Sequence, residues 1–129
     1  MFASVAKRAV ESFLDALNTS DADAVSRVCT DDARFNDCMF ESVETKGAIA
    51  AFVSELGRNG LGLYVAPTSI VRRGSLILVQ ADMSSNDARF CGPLQLTFLM
   101  QGRKIKNIDA HRGADAASIV RLYGRRQAA

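Results

Sequence analysis

The stretch from Phe13 to Cys38, FLDALNTSDADAVSRVCTDDARFNDC, constrains the fold of this 129-residue chain more than any other. It reads as the end of an amphipathic helix, a capped turn, a second short helix, an Asp-Asp turn and a strand. Upstream, Phe2, Val5, Ala6, Ala9, Val10, Phe13, Leu14 and Leu17 recur at three- and four-residue steps and make one apolar stripe of a helix. Asn18 suits its end. Ser20 or Asp21 can accept a free backbone N–H and so start the next helix, which carries Ala24, Val25 and Val28. Asp31 and Asp32 read as a turn, and Ala33 to Phe40 as a strand with Asp37 near its end.

A third helix is predicted after Thr45, with Ile49, Phe52, Val53 and Leu56 inward and Gly57 as its stop. Beyond Asn59-Gly60 the pattern changes to alternation. Strands are predicted over Leu61–Arg72, with a bulge or edge at Pro67, and over Ser75–Met83, Ala88–Gln101 with a break near Gly92-Pro93, and Lys104–Arg112. Arg73-Gly74 and Gln101-Gly102 are the tight turns, and Ala114–Tyr123 can form a short closing helix. Helices followed by a meander indicate one α+β domain over residues 1–129, with the helices against one face of a curved sheet.

Composition excludes several classes. Apolar residues make up 48% and charged ones 23%, which is that of a globular chain and not of a disordered one. A net charge of +2, with no aromatics among the basic hairpin ends, gives no basis for a nucleic-acid partner. No apolar run is long enough for a membrane span, and Met1-Phe2-Ala3 leads straight into a helical pattern without a signal-peptide core, so a cytoplasmic protein is expected. Cys29, Cys38 and Cys91 are odd in number and scattered, which supports neither a disulfide framework nor a metal site; no metal or other cofactor is expected.

With FLDALN, TSDADAV, DDARFND, KGAIAAFVSEL and GPLQLTF in this order, the chain resembles the NTF2-like superfamily, in its SnoaL-like and ketosteroid-isomerase-like branch. The resemblance runs from about Val5 to about Arg112. It implies a cone: a curved, mixed, mostly antiparallel sheet wrapped around N-terminal helices. It also implies that Asp37 stands where ketosteroid isomerases keep their proton-shuttling carboxylate. The oxyanion-hole tyrosine of that family is Phe13 here, and its second donor is Gln95. Limonene-type epoxide hydrolases use an Asp-Arg-Asp set at positions that are Gln80, Asp82 and Ala110 here, so only Asp82 matches.

Each later strand has two faces. In Ser75–Met83 one face is Ile77, Val79, Ala81 and Met83; the other is Leu76, Leu78, Gln80 and Asp82. In Ala88–Gln101 one face holds Phe90, Leu94, Leu96, Phe98 and Met100, and the other Cys91, Gln95, Thr97 and Leu99. Polarity alone puts the apolar face on the core. The resemblance puts the mixed face inside the cone. On that second assignment Asp37 and Asp82 are the catalytic carboxylates, and Gln80 and Gln95 bind substrate together with Phe13, Leu17, Phe35, Phe52, Leu56 and Tyr64. Two carboxylates in an apolar pocket push one another's protonation apart, which suits a base beside a donor. The apolar face is then exposed, and a homodimer through Ile77, Val79, Leu94, Leu96 and Phe98 is expected.

Against these stand plainer readings. Asp82 beside Ser84-Ser85 can be a solvated strand end, the two glutamines can bond each other, and Tyr64 can be rim packing. His111 and Asp109 share one face, which the resemblance turns outward; Arg112 would face inward, to hold an anion or a rim carboxylate. Two functions follow: a cofactor-free enzyme moving protons on a mostly apolar small molecule (isomerase, dehydratase or cyclase in type), or a non-catalytic ligand-binding or dimerisation module of the same fold.

Overall fold

A computed structural model describes residues 2–38, 41–113 and 116–124. Helix α1 (Phe2–Thr19) lies across the sheet with Ala6, Ala9, Val10, Phe13 and Leu14 of the expected stripe buried, together with Ala16. Asp21 starts α2 (Ala22–Val28) by accepting from the Ala24 N–H at 3.1 Å. The chain passes directly into β1 (Cys29–Asn36) and turns back into the short β2 (Ser42–Glu44). Thr45 caps α3 (Lys46–Arg58), its hydroxyl accepting from the Ala48 N–H at 3.2 Å.

Strands β3 (Tyr64–Arg73), β4 (Leu76–Ser84), β5 (Gly92–Gln101) and β6 (Lys104–His111) follow as an antiparallel meander. A 3₁₀ turn at Ala88–Phe90 precedes β5, where the sequence suggested strand. β6 returns beside β1 in parallel, giving the sheet order β2-β1-β6-β5-β4-β3. The sheet is curved, unclosed and mostly antiparallel, and the helices fill its concave side. This is the α+β cone that the resemblance implies.

Three local expectations are corrected. Asp31 and Asp32 are strand residues at a register shift between Cys29 and Arg34; both are exposed, reaching Lys46 at 2.9 Å and Lys106 at 3.3 Å. Gly57 does not end α3, which runs on to Arg58. Its lack of a side chain serves a close approach, because a Cβ there would fall 2.3 Å from the Ser20 Oγ. The strand expected over Ala33–Phe40 stops at Asn36; Met39, Phe40, Ala114 and Asp115 lie outside the described residues. Pro67 sits where the β3–β4 register shifts, and β3 is an edge strand, as its missing N–H requires.

Asn18 does more than end α1. Its amide donates to the Val65 carbonyl at 3.0 Å and accepts from the Val65 N–H at 2.7 Å. This pair ties α1 to β3 and turns Val65 inward, so that Tyr64, one residue earlier, faces out.

Cys29 is fully buried, and burial pushes its thiol up to about 11. A thiol raised on folding gives stability that is complete below its unfolded value and is lost as pH climbs towards 11. Cys91 is exposed. A thiol reagent at pH 8 is therefore expected to modify Cys91 first and to reach Cys29 only after denaturation. Rapid modification of Cys29 in the native protein would contradict this packing.

Candidate functional site

The functional side chains are set by the inward alternation of β1. Ala33, Phe35 and Asp37 are successive inward positions, all buried. Phe35 meets Phe52 of α3 at 5.7 Å between ring centroids and lines an apolar cavity of about 40 Å³ inside the cone. The wall includes five of the residues proposed from the sequence: Phe13, Leu17, Phe35, Phe52 and Leu56. Leu63, Val65, Met83, Leu94, Leu96, Ala110 and Ile119 complete it, and its lining is wholly apolar.

Asp37 stands one inward step beyond Phe35, just past the end of β1. Its Oδ2 accepts from the Ser118 hydroxyl in a short hydrogen bond and from the Val120 N–H at 3.3 Å, and its Oδ1 accepts from the Glu41 N–H at 3.1 Å. A carboxylate has several lone-pair positions, so one side chain can hold all of these donors. The Asp37 N–H also donates to the Glu41 carbonyl at 2.9 Å, closing the turn between β1 and β2. Burial pushes the neighbouring Cys38 thiol up, and the charge of Asp37 adds to that rise while Arg112 opposes it.

Arg112 continues the inward row of Ile108 and Ala110 beyond β6. Its guanidinium donates to the Arg89 carbonyl, reaches the Ala117 carbonyl at 3.4 Å, and lies 5.6 Å over the Phe90 ring. The rim partner is thus backbone carbonyl and aromatic face, where the sequence suggested a carboxylate. The segment 116–124 packs against Arg112 and Asp37, adds Ile119 to the cavity wall and ends in a π-helical turn over Val120–Gly124. Besides the contacts to Asp37 and Arg112, Arg121 pairs with Glu41 at 3.1 Å and Tyr123 stacks edgewise on Phe90 at 6.2 Å. No local sequence pattern signals this arrangement. Ser118 bonds a residue 81 positions away, and nothing in its local pattern marks it.

Five proposed site residues do not line the cavity: Asp37, which is buried beside its Ile119 wall, and four others that face away from it. Gln80, Asp82 and Gln95 are exposed on the convex side, and Tyr64 is 54% exposed. The register explains it: Gln80 lies opposite Gln95, and Gln95 opposite His111, so all three share one face. Asp109 and His111 point outward too, with Asp109 accepting from Asn36 at 2.8 Å. The faces of β4 and β5 follow polarity and not the assignment taken from the resemblance. Ile77, Val79, Leu94, Leu96 and Phe98, proposed for a dimer contact, are all buried within the chain's own core. The convex face keeps a narrower apolar strip at Val71, Leu76, Leu78 and Leu99.

A larger cleft of about 360 Å³ lies at the far end of the sheet, between the first turns of α1 and the β3–β4 and β5–β6 turns, beside Arg72 and Arg103. It is open to solvent and is remote from Asp37. Among the described residues no group of three His, Cys, Asp or Glu side chains could hold a metal ion, and no helix is long and apolar enough to cross a membrane.

The profile of the SnoaL-like domain matches residues 10–123. The chain belongs to the SnoaL-like domain family. No curated protein sequence matches it. Among solved structures, this SnoaL-like domain is similar to a proposed polyketide cyclase of Sinorhizobium meliloti, at 20% identity and a TM-score of 0.72, over 81% of this chain and 94% of that one. It is similar to an LEH-like epoxide hydrolase of M. tuberculosis, at 19% identity and 0.74, over 95% and 91%. A protein of Catenulispora acidiphila with the ketosteroid-isomerase-like fold, in complex with trimethylamine, matches at 13% and 0.74, over 90% and 92%. At these identities the likeness carries the fold and leaves the chemistry to this chain's own residues.

Proposed function

We propose that this SnoaL-like domain is a small-molecule enzyme that moves a proton on a mostly apolar substrate held in the cone, with Asp37 as the acid–base group. One observation carries the reading. Phe35, the last inward residue of β1, lines an apolar cavity, and the next inward position, Asp37, is a buried carboxylate bonded to Ser118 and Val120 on either side of the cavity-lining Ile119. Isomerisation, elimination of water and ring closure beside a carbonyl all need such a group next to an otherwise apolar pocket. Asp82, Gln80 and Gln95 have no part in it, since they face out of the cone. A panel of apolar enolisable ketones in deuterated water tests the proposal, with α-proton exchange followed by NMR for the wild type and Asp37→Asn. Exchange that is catalysed by the wild type and lost in the variant is expected. Exchange unaffected by the substitution removes Asp37 from the mechanism.

The second reading, a non-catalytic ligand-binding module, is favoured by the wholly apolar cavity wall and by the engagement of Asp37 with Ser118 and Val120. Ligand binding without exchange across the panel would establish it.

The pairing of two copies moves to the convex face. Its contact would be the strip of Val71, Leu76, Leu78 and Leu99, because the face first considered is core. Light scattering is expected to give twice the 13.9 kDa of one chain, and Leu76→Arg to halve it. A monomer at micromolar concentration removes the pairing.

A further inference from the structure

The cavity of about 40 Å³ is far below the several hundred cubic ångströms that a substrate-sized molecule needs. What closes it is chain. Ile119 is part of its wall, and the residues on either side of Ile119 carry the bonds to Asp37. In order along the segment, the Ala117 carbonyl faces the Arg112 guanidinium, the Ser118 hydroxyl donates to Asp37, and the Ile119 side chain enters the apolar space. An acceptor oxygen, a hydroxyl and a branched alkyl group thus meet a cation, a carboxylate and an apolar pocket.

We propose that residues 117–119 occupy the ligand's own place, so that the site is self-occupied and the segment 116–124 is displaced when the ligand binds. The ligand class follows from what the segment supplies. It is an apolar molecule with a branched or cyclic hydrocarbon body, a carbonyl oxygen for Arg112, and a hydroxyl or enol a few bonds away for Asp37. This rests on the reading that the cone interior is the ligand site, and it sharpens that reading. Where the hydroxyl is an enol conjugated with the carbonyl, the carboxylate of Asp37 would take its O–H proton, and the electron pair left behind delocalises onto the carbonyl oxygen that faces the Arg112 guanidinium.

The cover is held from outside the site by Arg121, which is exposed and pairs with Glu41 at 3.1 Å. Neither side chain lines the cavity. Loosening this pair raises the fraction of molecules with the segment displaced, and apparent affinity rises in proportion to that fraction.

The probe is N-acetyl-L-serine 2-methylbutylamide, which carries the carbonyl, hydroxyl and branched alkyl group in the spacing of residues 117–119; the alanine analogue lacks the hydroxyl. Calorimetric titration of the full chain is expected to show Arg121→Glu binding the serine probe about threefold to tenfold more tightly than the wild type, the gain expected from losing a surface ion pair and adding a repulsion. Arg121→Ala should show the same direction with a smaller gain, and both should prefer the serine probe to the alanine analogue. Unchanged or weaker binding by both variants, or no preference for the hydroxyl, overturns the proposal. The assay does not depend on turnover. Tighter binding without α-proton exchange keeps the self-occupied site and sinks only the proton-transfer reading.

Discussion

Replacing Phe98 by alanine is expected to cost the protein about 3–5 kcal/mol, the usual range for emptying the space of a fully buried phenylalanine. Phe98 has no exposed surface, meets Phe13 of α1 edge to face at 5.7 Å, and lies between Ile77 and Ile108 on the neighbouring strands. Its removal opens a void where α1, β4, β5 and β6 converge, and few of these neighbours can collapse into it. Domains of this size have only about 5–15 kcal/mol in total, so a fall of roughly 10–20 °C in melting temperature is expected. Gln95 is the control: it sits on the same strand and is exposed, so Gln95→Ala should change stability by no more than about 0.5 kcal/mol. Thermal melts of the two variants compare the faces of β5 directly. Had the mixed face been inside, as the resemblance suggested, the order of the two effects would be reversed.

The second large effect is at Asp37. Asp37→Asn is expected to lower catalysed α-proton exchange by about 100-fold or more, because the amide cannot take a proton. It also disturbs the hydrogen bonds at this position. The carboxylate accepts from Ser118 and Val120 on one oxygen and from the Glu41 N–H on the other. An amide has one acceptor oxygen, so its NH2 group must face one of these donors and leave it without a partner. That mismatch should cost about 1–3 kcal/mol and a few degrees in melting temperature. The two readouts separate the roles. A residue that only latched the chain would lose stability without any exchange activity to lose, whereas a proton carrier would lose both.

The helix–turn–helix–strand stretch and the strand alternation were legible because both rest on local periodicity. Residues such as Phe13, Leu17, Phe35, Phe52 and Leu56 repeat at helical or strand spacing, and the cavity wall contains all five. The misplaced residues of β4 and β5 share one reason, the choice of sheet face. Gln80 and Gln95 were put inside while His111 was put outside, yet a register that pairs Gln80 with Gln95 and Gln95 with His111 gives all three one face. Polarity alone points the right way here: the row Ile77, Val79, Ala81 is buried, and its mixed neighbours are not. Tyr64 failed because Asn18, read only as a helix end, grips both backbone groups of Val65 and so settles which way β3 faces. The Asp37–Ser118 contact was out of reach of any local pattern. It joins the end of the first strand to the closing segment, and a lone serine near a chain's end carries no periodic signal.

Under the proposed function, the ligand site is the interior of the cone, beside Asp37. Methyl NMR locates it most directly. Leu17, Leu94, Leu96 and Ile119 line the cavity, while Leu76, Leu78 and Leu99 lie on the convex face. Titration with an apolar enolisable ketone is expected to shift the first group, Ile119 above all, and to leave the second in place. Shifts confined to the convex strip, with the cavity methyls unmoved, would contradict the claim.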